Sequence, residues 1–121
     1  MNITLYVIQG LLACIFFMAG IMKVAKNKET LREKLGDWTD NYSENKLKLI
    51  GLLEVLGAIG IVLPIFISSI AILVPIAAIG LSITMIGALI LHLKRKEKDK
   101  VIVNLILLLL ALFIVVGRLY V

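Results

Sequence analysis

Four apolar runs, each long enough to cross a bilayer, dominate the chain and leave few folds open to it. They cover roughly residues 3–22, 47–66, 69–91 and 101–117 of the 121. A spanning helix needs about 20 residues, within a range of about 17–25. Inside hydrocarbon every backbone N–H and C=O must be paired, and a run of this length satisfies that requirement as a helix. Composition agrees, with 61% hydrophobic and 17% charged residues. A soluble domain this small buries only about 60–70% of the surface it exposes unfolded, too little to hide so much apolar area. Disordered chains, disulfide scaffolds and ordinary soluble enzymes are excluded on the same ground. The reading is one all-α transmembrane domain over 1–121, an up-down bundle of four helices.

The charges define the loops. Of 13 Lys and Arg, seven lie between Lys23 and Lys48, five between Lys94 and Lys100, and Arg118 stands near the end. Two basic loops on one side of a four-span chain place that side in the cytoplasm by the positive-inside rule and both termini outside the cell membrane. The basic balance therefore describes membrane-flanking loops, with the lipid bilayer as partner, and gives no nucleic-acid face. The first eight residues carry no Lys or Arg, so the first span reads as a retained helix and not a cleaved signal. A short interfacial helix is expected in the first cytoplasmic loop. Thr30 and Glu33 have capping-box spacing, and Leu31, Leu35 and Trp38 form a stripe at i, i+4 and i+7. Trp38 and Tyr42 suit the headgroup region. Pro64 is expected to end or bend the second helix and Pro75 to kink the third near its start.

Polar residues inside the apolar runs carry most of the functional information, because each is costly unless it faces protein or water. Glu54 lies about two turns into the second span, with Gly51, Gly57 and Ala58 on its face, so it is expected to point inward. Two roles fit it: a proton- or ligand-binding carboxylate, and an ion pair with Lys23 that fixes packing. His92 ends the third span behind Gly80, Thr84 and Ala88 at steps of four. It fits a proton relay less well than a simple interfacial histidine. Asn104, one turn into the fourth span, reads as interhelical glue before substrate contact. Lys23, which closes the first span, is equally suited to snorkel to headgroups. Arg118 is expected at the outer interface. The topology brings Lys23, Glu54, His92 and Asn104, one per helix, to the cytoplasmic half as candidates for a single ligand or proton site. One histidine and one cysteine, Cys14, leave no dithiol and no evident metal set. No cofactor is specified.

These residues resemble the DoxX-like family of small four-helix membrane proteins along nearly the whole chain. The resemblance rests on Gly20-Ile-Met-Lys23, Leu49-Ile-Gly-Leu-Leu-Glu54-Val-Leu-Gly57, Pro75-Ile-Ala-Ala-Ile-Gly80, Gly87-Ala-Leu-Ile-Leu-His92-Leu93, Asn104 and Gly117-Arg118. It implies a binding or accessory membrane subunit for a lipophilic small molecule such as a quinone, or for a partner in a membrane complex. It leaves open a quinone-linked oxidoreductase subunit, and a proton-coupled small-molecule transporter stands as the competing reading of a membrane glutamate. The orientation has a direct check. Cysteines placed near Thr39 or Lys98 should react with an impermeant label only from the cytoplasmic side, and labelling from outside would invert the topology.

Overall fold

The computed structural model describes residues 2–120. Helices α1 (Asn2–Ala25), α2 (Lys28–Leu35), α3 (Glu44–Phe66), α4 (Leu73–Lys94) and α5 (Lys98–Tyr120) follow in order, with 3-10 turns at Asp37–Asn41 and Ser68–Ile70. Four of them, α1, α3, α4 and α5, are long and apolar enough to cross a membrane, and they pack as an up-down bundle. There is no strand among the described residues.

The bundle is two pairs of helices. α1 packs along α3, and α4 along α5; α3 and α4 meet less extensively, and α1 and α5 least. Leu12 and Phe16 of α1, Ile61 of α3, Leu81 of α4, and Ala111 and Ile114 of α5 are buried where the pairs meet. The other faces leave Leu and Ile exposed along every long helix, as expected where the surrounding medium is itself apolar.

The ends of the elements refine the sequence reading. The connection between α3 and α4 is longer than the hydropathy suggests, because Ser68–Ile70 forms a separate 3-10 turn and α4 starts at Leu73, not at residue 69. Pro75 therefore sits in the first turn of α4, where a missing N–H removes no helical bond and no kink is needed. α3 continues two residues beyond Pro64. The first loop does contain a short helix, but its cap is Asn27, whose side chain accepts from the Thr30 backbone N–H at 2.8 Å. The Thr30–Glu33 capping box does not form, because Asn27 starts the helix one turn earlier and places Thr30 inside it. α2 stops at Leu35, where Gly36 adopts φ 117° and ψ 172°, a region open essentially to glycine alone. Trp38 consequently lies on the following turn and not on the stripe of Leu31 and Leu35. That turn folds the loop back over the bundle.

Candidate functional site

The site begins at a glycine crossing. A Cβ built on Gly20 would lie 2.5 Å from the Gly51 carbonyl oxygen, and one built on Gly51 2.6 Å from Lys23 Cβ. Real side chains do not approach so closely, so the two glycines are what let α1 and α3 meet backbone to backbone. One turn further along each helix, the contact delivers Lys23 Nζ to Glu54 Oε1 at 2.5 Å. The side chains are 11% and 2% exposed. A carboxylate so enclosed is tolerated only with its countercharge beside it. One of three ammonium protons is used, and one carboxylate oxygen, so the pair still presents donors and an acceptor side by side.

His92 is built from the opposite hairpin. α4 ends in a Schellman arrangement: the Glu97 N–H donates to the His92 carbonyl at 3.0 Å, and the Lys96 N–H to that of Leu93 at 3.2 Å. Lys96 takes the left-handed conformation, φ 58°, where glycine is usual. The turn brings Glu97 back onto the helix, and its Oε1 lies 2.8 Å from His92 Nδ1. An ionised carboxylate only accepts, so Nδ1 carries a proton, and in the neutral form of the ring Nε2 is an acceptor. Glu97 also receives Arg95 Nε at 3.1 Å and Lys100 Nζ at 3.3 Å. The hydrogen bond from His92, aided by the two cations against a desolvation penalty, holds the Glu97 carboxyl below its ordinary range. Arg95 reaches across to the first loop as well, donating to Asp37 at 2.7 Å and Asn41 at 2.9 Å.

That loop supplies a roof. The Trp38 indole N–H donates to the Leu35 carbonyl at 2.8 Å. Its ring stands edge-to-face with His92, centroids 5.3 Å apart, and with Tyr42 at 6.1 Å. Lys23 Nζ lies 5.9 Å from the Trp38 ring centroid, within reach of a cation–π attraction. Beneath Trp38 is a cavity of about 540 Å³ lined by Lys23, Trp38, Tyr42, Glu54, His92 and Asn104, and deeper by Phe16, Met85 and Leu107. The volume falls within the usual range for small-molecule sites, about 300–1,000 Å³.

All four residues expected at the basic end thus line one space. Asn104 does not bridge helices there; its Nδ2 donates to the Lys100 carbonyl of its own helix at 2.8 Å. Of the stripe leading to His92, Thr84 and Ala88 line the cavity while Gly80 faces outward. Sequence reading missed Arg95 and Glu97, and gave Trp38 and Tyr42 to the headgroups. The composition hint was a lone Trp between acids just after Gly36. Thr39 is fully buried, its hydroxyl donating to the Gly36 carbonyl at 2.9 Å, so a topology label belongs on the exposed Asp40. Arg118 lies at the other end of the bundle and turns inward. Its Nε donates to Gln9 Oε1 at 2.7 Å, and its guanidinium stacks 4.6 Å from the Tyr6 ring centroid. Gln9, fully buried, donates in turn to the Ile61 carbonyl at 3.0 Å, one residue past the Gly60 carbonyl that Pro64 leaves without its helical donor.

Two outcomes follow from this geometry. Lys23→Met and Glu54→Leu should each lower the stability of the purified protein by about 3–5 kcal/mol, and the double variant should recover most of the loss. Additive losses in a thermal-unfolding cycle would show that the two groups do not act as a pair. The second outcome concerns acid. A carboxyl held below its ordinary value of about 4.3 stabilises the fold fully above that pH, and the contribution is lost as pH falls through the lowered value. Emission of Trp38, the only tryptophan, should therefore shift as the pH falls below the ordinary carboxylate range. Glu97→Gln should give the shifted emission at neutral pH and abolish the acid transition; an unchanged transition would remove Glu97 from the roof's support.

Comparison with known proteins is consistent with this architecture. No curated protein and no solved structure matches the chain. A family model for the DoxX-like family matches residues 7–114, a stretch that includes Lys23, Glu54, His92 and Asn104. Gly117 and Arg118 fall outside it, so the match lends no support to that last segment of the resemblance. With a multi-pass bundle and a match over most of its length, the chain belongs to the DoxX-like family.

Proposed function

We propose that this DoxX-like membrane protein is a binding or accessory subunit whose polar cavity holds the head of a lipophilic small molecule, a quinone being the class that fits it best. The observation that carries this reading is the Lys23–Glu54 pair set in the wall of a roughly 540 Å³ cavity whose deeper lining is apolar. A quinone carbonyl accepts from the Lys23 ammonium, and the hydroxyl of the reduced form donates to Glu54. Trp38 offers an aromatic edge or face to a planar ring. His92 and Asn104 add an acceptor and an amide on the opposite wall. The pair also favours binding over proton-coupled transport, because a carboxylate that carries protons must shed its cation on each cycle. By the charge rule the cavity opens toward the cytoplasm and both termini lie outside, which the labelling of Asp40 or Lys98 tests.

The decisive measurement is thermal unfolding of the purified protein against a panel of quinones, phospholipids and cationic drugs. A quinone at a hundred times its dissociation constant should add about 2.7 kcal/mol of stability. Glu54→Gln should keep the fold and lose that gain, and His92→Ala should weaken it. A shift by lipids or drugs alone, or a quinone effect untouched by Glu54→Gln, would overturn the assignment.

A further inference from the structure

An apolar groove adjoins the polar cavity. A second space of about 540 Å³ runs along the outer side of the α3–α4 seam, bounded by Leu53, Leu56 and Gly60 on α3 and by Ile76, Gly80 and Ile83 on α4. Ile83 and Thr84 line both spaces. From Thr84 the groove follows α4 back to Leu73, eleven residues or about 16 Å of helix. Its floor is where the helices touch: a Cβ on Gly57 would meet Leu81 at 2.7 Å, and one on Gly60 would meet Ala77 at 2.9 Å. Its depth on the α4 side comes from Gly80, where an added Cβ would meet nothing within 4 Å. A largely apolar groove, with Thr84 at its end, therefore adjoins the polar cavity, and it opens on the side where the helices face hydrocarbon.

We infer that the ligand is a long-tailed amphiphile whose head occupies the polar cavity and whose hydrocarbon tail lies in the α3–α4 groove, leaving the cavity between the two helices beside Ile83 and Thr84 of α4. The inference rests on the proposed head site and adds the class of molecule and its path. The two linings share Ile83 and Thr84, which sets the groove directly beside the head site and selects the tail of the head-bound ligand as the occupant over a separate acyl chain. A tail moving from lipid or detergent into the groove leaves one apolar medium for another, so its gain comes from close packing and not from water exclusion. The expected effect is accordingly modest, and it depends on the shape of the groove.

The test compares two probes with one head, 2,3-dimethoxy-5-methyl-1,4-benzoquinone and its 6-decyl derivative. Binding is read from quenching of Trp38 in wild type and in Gly80→Leu, which fills the groove one turn beyond Thr84. Ile76→Phe is a second plug further along, should the first variant fold poorly; it adds no second tryptophan to the readout. Both probes should bind the wild type. Each plug should leave the short probe's affinity unchanged and weaken the decyl probe roughly threefold to tenfold, about 0.7–1.4 kcal/mol at RT ln of that ratio. Comparing one probe across variants cancels its partition into detergent. Equal decyl affinity in wild type and both plugs would overturn the tail's path while leaving the head site standing. Binding of the decyl probe alone, unaffected by Glu54→Gln, would overturn both, since the groove would then take any chain without a recognised head. Binding of neither probe would likewise reject both.

Discussion

The Lys23–Glu54 ion pair is the interaction on which the basic half of the molecule depends. It joins the first two long helices where the surrounding medium offers neither charge a substitute. Separation of the helices would strand both, a cost of several kcal/mol per ion, so the close crossing at Gly20 and Gly51 and the pair enforce one another. The glycines give the approach, and the charges make any wider spacing unfavourable. The orientation of α1 against α3 is fixed there, and with it one wall of the cavity.

The opposite wall has a different origin. α4 and α5 are held by apolar packing, and their polar contribution is organised by the turn between them. Lys96 in a left-handed conformation brings Glu97 onto His92, and Arg95 then ties the turn to the first loop. Trp38 is placed by this arrangement, since the loop bearing it bonds to Arg95 in the turn between α4 and α5 and packs on His92. The roof thus belongs to one helix pair by its bonds and to the other by chain connection, so it couples the two walls.

Much of this was legible in the sequence, for physical reasons that separate what could be read from what could not. Hydropathy marks the four long helices because the bilayer imposes a length that no loop imitates. Glu54 facing inward follows from small residues at its −3, +3 and +4 positions. A short helix after α1 follows from its local pattern, although Asn27 and not Thr30 caps it. The roof was not legible. Arg95 meets Asp37 across 58 residues and Asn41 across 54, and nothing local to either partner announces the other. The turn that sets Glu97 against His92 uses Lys where glycine would have signalled it. Asn104 reads as a bridge because an amide in an apolar span needs a partner and a neighbouring helix can supply one, yet its own helix offers the Lys100 carbonyl.

The two ends of the bundle are closed by bonds of different character. At the end holding the termini, Gln9 sits fully buried between the Ile61 carbonyl and Arg118, and Gly117 admits Leu5 so closely that a Cβ there would lie 2.5 Å away. At the loop end, Arg95 grips Asp37, whose side chain is 60% exposed. Dissolved ions weaken contacts between exposed charges and scarcely reach buried ones. Ionic strength therefore acts on this protein asymmetrically, as on a clasp whose hinge is sealed: it loosens the latch over the cavity and leaves the far joint of α1, α3 and α5 untouched.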